Sequence, residues 1–186
     1  MLGSPRQRTV IIGNSGSGKS TFADSLAALT HVPVINLDLL HWEDDRYRIK
    51  REEEVAKRLV RDAAAAPRWI IEGVYGWLVE IALPRASALV WLDLPWSMCL
   101  ENLILRGQRR GGKEAGFADL LRWAEAYWER QTTSSFIGHS RLFDNFVGAK
   151  WQLHNHEEAH ELLVRLASDS TKRQTCASRR EINSCE

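Results

Sequence analysis

The 186-residue chain has little of what marks a secreted, membrane-spanning or strongly charged protein. Its 25 basic and 24 acidic residues nearly cancel, so no overall field draws it toward nucleic acid or an anionic membrane. No apolar run approaches the roughly 18 residues of a spanning helix, and residues 1–9 lack the apolar centre of a secretion signal. These absences predict a cytoplasmic protein with no membrane partner, and they argue against nucleic acid as a partner.

Cysteine is also scarce, because the chain has three and no close pair of the kind that binds a metal or performs redox chemistry. Two of them, Cys176 and Cys185, lie in a polar C-terminal stretch, so we expect free thiols. Within that stretch Ile182 is the one aliphatic residue of any size. We therefore expect residues 1–167 to form a single domain and residues 168–186 to be a disordered tail.

Short apolar runs alternate along the chain with segments whose apolar residues repeat every three or four positions, a pattern typical of an α/β fold. Asn155 and Glu158 form a capping-box pattern, so the last helix should begin there. The continuous apolar runs predict strands of a parallel sheet, buried on both faces, over residues 9–12, 32–37, 68–71, 88–92 and 151–153. The helical spacing predicts helices around residues 22–29, 55–63, 100–104, 117–128 and 159–166.

The stretch VIIGNSGSGKSTFA, residues 10–23, carries the most specific motif of the chain, because it matches G-x-x-x-x-G-K-[ST] between a predicted strand and a predicted helix. Its glycines let successive N–H groups point into one concavity, to which the helix N-terminus adds partial positive charge. Such a concavity binds a polyphosphate, and Lys19 would reach the β and γ phosphates while the Ser20 hydroxyl held Mg²⁺. The predicted ATP-binding residues are Gly13, Asn14, Ser15, Gly16, Ser17, Gly18, Lys19, Ser20 and Thr21.

A phosphate loop does not by itself say what happens to the nucleotide. The sequence has no N-K-x-D and no downstream D-x-x-G, which argues against a switch GTPase, and the chain is short for an ATP-driven motor. A kinase predicts acidic residues at the carboxyl ends of neighbouring parallel strands, facing the loop. Asp38, Glu72 and Asp93 occupy such places. Glu72 is the best candidate for Mg²⁺, and Asp38 for orienting or deprotonating an acceptor; an ordinary solvated or capping carboxylate is the alternative for each.

The stretch LRGQRRGGKEAG places arginines in a glycine-hinged segment after the fourth predicted strand and its helix. Phosphoryl transfer needs positive charge around the migrating group, so we expect a short lid over about residues 106–116 that closes on ATP. Arg106 and Arg110 would take part in the transfer, and Arg109 would contact ATP. A charged loop in solvent is the alternative, and so few charges would bind nucleic acid weakly.

Three aromatic residues, Trp42, Tyr75 and Trp77, come just beyond the ends of predicted strands. An aromatic face at such a place stacks on a base or a sugar ring. Together with Asp38 they are therefore the predicted substrate contacts, with core packing as the alternative.

The phosphate loop, INLDLLHW, WIIEGVYGWL, ALVWLDLP and the arginine-rich stretch follow one another in an order that resembles the small adenylate-kinase-related P-loop proteins. These are often labelled DNA topology modulation proteins or AAA family ATPases, and the resemblance covers about residues 9–166. It implies a five-stranded parallel sheet in the order 2-3-1-4-5 and a nucleoside-monophosphate-kinase-like core. It also implies ATP at the phosphate loop and a lid carrying Arg106, Arg109 and Arg110. The label describes a genetic association, and we predict no DNA binding from it.

The chain departs from true adenylate kinases where those enzymes hold the phosphate of AMP with arginines. The corresponding stretches, LDLLHW and EGVYGW, contain no arginine, which argues against AMP as the acceptor. The sequence thus predicts a Mg²⁺-dependent phosphotransferase that passes the γ-phosphoryl group of ATP to a nucleoside, a nucleotide or a hydroxy metabolite. Two alternatives stay open: a regulatory or binding module with slow ATP hydrolysis, and a polynucleotide 5′-hydroxyl kinase.

Overall fold

A computed structural model describes residues 8–44, 49–107 and 114–168, and its centre is a five-stranded parallel sheet. The strand order is β2-β3-β1-β4-β5, which confirms the predicted fold class and topology. Strand β1 therefore lies between β3 and β4, so that Ile12 pairs with Gly73 and Gly13 pairs with Leu92. The strands are β1 (Arg8–Gly13), β2 (Val34–Asn36), β3 (Trp69–Gly73), β4 (Ala88–Leu92) and β5 (Ala149–Leu153).

Eight α-helices connect and cover the strands in the described part of the chain. Three of them, α2, α4 and α7, were not predicted from the sequence, and the run predicted over residues 117–128 divides into α6 and a 3₁₀ turn, Ala126–Trp128. The helices are α1 (Lys19–Thr30), α2 (Leu37–His41), α3 (Glu53–Ala64), α4 (Gly76–Ala82), α5 (Trp96–Arg106), α6 (Glu114–Glu125), α7 (Phe136–Asn145) and α8 (residues 156–168).

Each face of the sheet carries its own apolar core, which explains why β1, β3 and β4 are almost continuously apolar. The edge strand β5 differs from the prediction, because Lys150 and Gln152 alternate there with apolar residues and Lys150 is exposed. Successive side chains of a strand point to opposite faces, so Val10 and Ile12 belong to one core while Ile11 belongs to the other. Helices α3, α4 and α7 contribute buried residues to the first core, and α1, α5 and α8 contribute to the second. Among the described residues, no helix is both long and apolar enough to cross a membrane.

The core-facing residues of two helices differ from those that the helical spacing predicted. In α3 the spacing predicted Val55, Leu59 and Ala63, whereas the fully buried residues are Ala56, Val60 and Ala64, each one position later. One position rotates a helix by about 100°, so the true core-facing stripe runs along its small residues. In α5 the spacing predicted Leu100, Leu103 and Ile104; Leu103 is buried beside the phosphate loop as predicted, whereas Ile104 is 58% exposed.

The start of α8 has the predicted capping box. The Glu158 backbone N–H donates to Asn155 Oδ1 at 2.8 Å, and the Glu158 carboxylate accepts from the His154 backbone N–H at 2.7 Å. The helix extends to Ser168, where the tail was predicted to begin. Residues 169–186 lie outside the described residues, so the tail stays a prediction.

Candidate functional site

The phosphate loop connects the end of β1 to the start of α1, and its backbone conformation requires glycine. Gly16 and Gly18 have φ of 81° and 85°, in the left-handed region that other residues rarely adopt. A Cβ at Gly16 would lie against the Cys99 carbonyl oxygen and 2.9 Å from Leu103 Cγ. Gly18 is also the N-cap of α1, where no side chain bonds the first N–H groups. Those N–H groups are thus available to an anion.

One cavity opens at this edge of the sheet, because the carboxyl ends of β1 and β3 lie side by side there. It brings together the predicted lysine, serine, two acids and first lid arginine, which lie far apart in the sequence. The lining residues are Ser15, Gly16, Gly18, Lys19, Ser20, Thr21, Asp38, Glu72, Gly73, Val74 and Arg106.

Lys19 is buried within the curve of the phosphate loop. Its ammonium group donates to the Asn14 carbonyl oxygen at 2.7 Å. Burial lowers the pKa of Lys19, and the nearby carboxylates of Glu72 and Asp38 oppose that shift. A phosphate oxygen in the cavity would give this buried cation a further acceptor and a compensating charge.

Ser20 and Glu72 form the pair that fits a magnesium ion. The Ser20 hydroxyl donates to Glu72 Oε1 at 3.0 Å, and Glu72 is 3% exposed. Burial raises the pKa of Glu72, while the charge of Lys19 and the hydrogen bond from Ser20 lower it. No group of three or more His, Cys, Asp or Glu side chains within residues 8–44, 49–107 and 114–168 could hold a metal. The pair still fits Mg²⁺, because this ion keeps several waters and uses one or two protein oxygens together with substrate phosphates.

The two remaining predicted acids have different surroundings. Asp38 lies in the first turn of α2, where Asn36 Oδ1 accepts its backbone N–H at 2.7 Å, and its side chain lines the cavity. Asp93 instead accepts a hydrogen bond from the Gln152 amide at 2.9 Å and lies 3.6 Å from His154 Nδ1. The structure therefore places Asp38 at the site and ties Asp93 to β5 and the loop after it.

The predicted aromatic residues form one cluster beside Asp38. The Trp42 indole N–H donates to the Tyr75 hydroxyl at 2.9 Å. The His41 ring lies 4.8 Å from Trp42, 4.2 Å from Tyr75 and 5.7 Å from Trp77, centroid to centroid. Burial raises the pKa of Tyr75, and the charge of Asp38 raises it further. None of the three predicted residues is among those that line the cavity.

Two asparagine side chains join the phosphate loop to neighbouring helices, which the sequence did not indicate. The Asn14 amide donates to the Ala124 carbonyl oxygen at 2.8 Å, and Asn14 Oδ1 accepts the Ser15 N–H at 2.8 Å. The Asn102 amide donates to the Gly16 carbonyl oxygen, also at 2.8 Å. The side chain of Asn14 thus joins the loop to α6 and does not reach into the cavity.

A buried histidine joins α7 to the loop after β3. His139 Nε2 lies 3.0 Å from the Val74 carbonyl oxygen, and Nδ1 lies 2.6 Å from the Tyr127 hydroxyl. Since a carbonyl only accepts, Nε2 carries the proton and the Tyr127 hydroxyl donates to Nδ1. Burial lowers the pKa of His139 to about 3. No sequence signal marks this residue, because its helix was not predicted.

A larger groove of about 530 Å³ continues from the cavity toward α5 and α8. The two share Gly16, Gly18, Thr21 and Arg106. Apolar side chains line much of the groove. Its polar residues Ser25, Asn102, His156 and His160 were not among the predicted site residues. Its remaining lining residues are Phe22, Ser25, Leu92, Asn102, Leu105, His156, Ala159, His160 and Leu163.

Most of the predicted lid cannot be compared with the structure. Arg106 is the last residue of α5 and lines both cavity and groove. Arg109 and Arg110 lie outside the described residues, so their roles stay predictions.

No family model matches the chain, and no curated protein matches it. Solved structures do resemble it in fold. A gluconokinase from Sinorhizobium meliloti 1021 is 18% identical, with a TM-score of 0.55 over 92% of this chain and 99% of that one. A shikimate kinase from Bacteroides thetaiotaomicron is 16% identical, with a TM-score of 0.52 over 87% of this chain and 96% of that one. The chain has the adenylate-kinase-like P-loop fold. At these identities the likeness shows the fold alone, and the DNA topology modulation label finds no support in it.

Proposed function

We propose that the protein is a kinase that transfers the γ-phosphoryl group of ATP to a hydroxyl group of a small molecule, with Mg²⁺. The observation that carries this proposal is the single cavity shared by Lys19, the Ser20–Glu72 pair and Asp38. A phosphate-binding cation, a pair that fits Mg²⁺ and a separate carboxylate are the three parts that phosphoryl transfer needs in one place.

The phosphate loop and Lys19 would bind the β and γ phosphates. Their N–H groups and ammonium group are fixed before the substrate arrives, so they would stabilise the charge of the transferring group with little rearrangement. Ser20 and Glu72 would hold Mg²⁺, which when bound neutralises charge on the β and γ oxygens. Arg106 would add positive charge at the cavity, and Arg109 and Arg110 of the predicted lid would add more.

The nucleoside of ATP would occupy the groove. Gly16, Gly18, Thr21 and Arg106 belong to both spaces, so a triphosphate can run from the groove into the cavity along them. Asp38 lines the cavity but not the groove. A nucleoside in the groove therefore leaves the γ-phosphoryl group at the Asp38 end.

The acceptor would enter beside Asp38, whose carboxylate would orient or deprotonate its hydroxyl group. We propose that Trp42, Tyr75 and Trp77 surround the acceptor there. The names of the two solved structures that share the fold, a gluconokinase and a shikimate kinase, support a small molecule rather than an oligonucleotide. The proposed catalytic unit is the single domain of residues 1–167.

Two substitutions separate nucleotide binding from transfer. Lys19→Ala should abolish Mg·ATP binding and turnover together, because it removes the cation of the phosphate loop. Asp38→Asn should leave Mg·ATP affinity within about twofold and lower acceptor-dependent turnover by about 10²-fold or more. Asp93→Asn is the matched control, since Asp93 is bound to Gln152 outside the cavity, and it should retain both. Affinity is measured by calorimetry, and turnover by ADP release with a panel of nucleosides, nucleoside monophosphates and hydroxy metabolites.

Each part of the proposal has a result that contradicts it. Full acceptor turnover in Asp38→Asn would show that its assigned role is wrong. A wild-type protein without affinity for any Mg·nucleoside triphosphate would overturn the proposal as a whole. Stimulation by no acceptor, together with nucleotide-dependent binding of a partner, would favour the regulatory module, and labelling of an oligonucleotide from radioactive ATP would favour the polynucleotide kinase.

A further inference from the structure

The short connection from β3 to α4 belongs to the side of the cavity proposed for the acceptor. It consists of Val74, which lines the cavity, and Tyr75, whose ring lies 4.2 Å from that of His41 in the aromatic cluster. We propose that His139 is a positioning residue, which holds the carbonyl group of Val74 and thereby fixes the β3–α4 connection for the acceptor. This inference rests on the proposed function, because it concerns the place where the acceptor would bind.

Both ring nitrogens of His139 are engaged, so the direction of its hydrogen bonds is fixed. Nε2 lies 3.0 Å from the Val74 carbonyl oxygen and donates to it, because a carbonyl only accepts. Nδ1 lies 2.6 Å from the Tyr127 hydroxyl and accepts its proton. The side chains of His139 and Tyr127 are both buried, so water does not compete for either bond.

A second contact attaches the same connection to the chain just before α7. The Gly76 backbone N–H donates to Ser134 Oγ at 3.1 Å. Gly76 also packs so closely on the Thr133 backbone that a Cβ there would overlap the Thr133 carbonyl oxygen. Val74 and Gly76, which flank Tyr75 in the sequence, are therefore both held by residues 133–139.

The segment that makes these contacts is itself attached to the phosphate loop. The Arg130 guanidinium donates to the Ser134 carbonyl oxygen at 3.0 Å and also to the Trp123 carbonyl oxygen. One residue further on, the Ala124 carbonyl oxygen accepts the Asn14 amide of the phosphate loop at 2.8 Å. The segment thus joins the phosphate loop to the β3–α4 connection, which a residue that positions one against the other requires.

Loss of the His139 bond would act on the acceptor side alone. The buried Val74 carbonyl oxygen would lose its donor, and the peptide unit between Val74 and Tyr75 would turn to find another. Glu72 and Gly73 would keep their places, because their backbones pair with β1 in the sheet. A shift of about 1 Å in a substrate-positioning group can cost about 10²-fold in rate.

Two amide side chains that differ by one methylene group test this role. His139→Gln places an N–H where Nε2 lies, whereas the side chain of His139→Asn is too short to reach Val74. His139→Asn should lower kcat/KM for the acceptor about tenfold to 10²-fold, and His139→Gln should recover most of that loss. The affinity of both variants for Mg·ATP should stay within about twofold of wild type, since His139 lines neither the cavity nor the groove.

Ser134→Ala tests the second contact and leaves the buried imidazole in place, so it applies even where a His139 variant fails to fold. It should lower kcat/KM for the acceptor about threefold to tenfold, the effect of one lost hydrogen bond, at unchanged Mg·ATP affinity. Ser140→Ala is the matched control, because the Ser140 hydroxyl donates to Asp144 at the surface, and it should match wild type.

A spectroscopic measurement does not depend on knowing the acceptor. The Trp42 indole N–H donates to the Tyr75 hydroxyl, so its signal in ¹⁵N-labelled protein reports the place of Tyr75. This signal is identified by its loss in Trp42→Phe. It should shift in His139→Asn and stay near its wild-type position in His139→Gln. The indole signal of Trp151, which lies in β5, should shift in neither variant.

The measurements separate failure of this inference from failure of the proposed function. Wild-type acceptor kinetics in His139→Asn, equal losses in the two His139 variants, or a parallel loss of Mg·ATP affinity would overturn the positioning role and leave the kinase proposal standing. A wild type that phosphorylates no acceptor, in a protein whose indole signals behave as expected, would refute the kinase proposal and keep His139 as the residue that fixes the connection.

Discussion

Replacement of Gly16 by alanine tests whether the phosphate loop is shaped by backbone conformation and by close packing at the same time. The residue has φ of 81°, which costs alanine about 1–2 kcal/mol. The new Cβ would also press on the Cys99 carbonyl oxygen and lie 2.9 Å from Leu103 Cγ, which adds about 1–3 kcal/mol of overpacking. The expected loss in the free energy of unfolding is therefore about 2–5 kcal/mol.

Two other glycines separate these contributions. Gly18 has a similar φ of 85°, but a Cβ there would meet its nearest atoms at 3.6 and 4.0 Å, so only the conformational cost of about 1–2 kcal/mol remains. Gly116 lies exposed in α6 with nothing within 4 Å of a Cβ, and alanine there should stabilise by about 0.5–1 kcal/mol.

Urea unfolding of the three variants measures these free energies, and calorimetry with Mg·ATP reports whether the loop still binds. Equal losses for Gly16→Ala and Gly18→Ala would refute the packing argument. A stable Gly16→Ala variant with wild-type affinity would refute the reasoning about the loop as a whole.

Two further predictions concern stability away from the cavity. His139 stays neutral in the folded protein down to a pKa of about 3, whereas its ordinary pKa is 6.5, so the unfolded chain binds more protons between these values. The free energy of unfolding should thus decrease by about 1.4 kcal/mol for each pH unit that the pH is lowered below about 6.5. His139→Gln should remove this contribution when urea unfolding at pH 7.5 is compared with urea unfolding at pH 4.5. An equal dependence on pH in wild type and variant would contradict the assignment. Asn155→Ala should cost about 1 kcal/mol by removing the cap of α8, or about 2–4 °C in Tm, while the exposed Asn145→Ala should change Tm little. A Tm for Asn155→Ala equal to wild type would show that the cap contributes nothing.

The strands and the phosphate loop were predictable because their signals are local. The loop places its glycines and Lys19 within seven residues, and strands buried on both faces are continuously apolar. The orientation of the helices was less predictable from the sequence. In α3 the spacing of Val55 and Leu59 suited a stripe one residue away from the true one, because α3 packs against α2 and α4 with Ala56, Val60 and Ala64 fully buried.

The helices that the sequence missed are those whose stability is not local. α2 and α4 have five and seven residues, which is too short for a clear helical period. In α7 the residues Gly138, His139 and Ser140 interrupt the apolar pattern. His139 is buried only because α7 packs on the sheet and the Val74 carbonyl and the Tyr127 hydroxyl meet both ring nitrogens.

The sequence by itself determined a phosphate loop between a strand and a helix, a parallel sheet and the capped start of α8, since each follows from residues that are neighbours in the chain. Tertiary structure alone decided which acid serves the cavity: Asp38 and Glu72 meet Lys19 there, while Gln152 binds Asp93. It alone also turned the Asn14 side chain to α6 and brought the Tyr75 hydroxyl to the indole N–H of Trp42. The physical reason is that such contacts join residues far apart in the chain, and strand order and helix packing determine which of them meet.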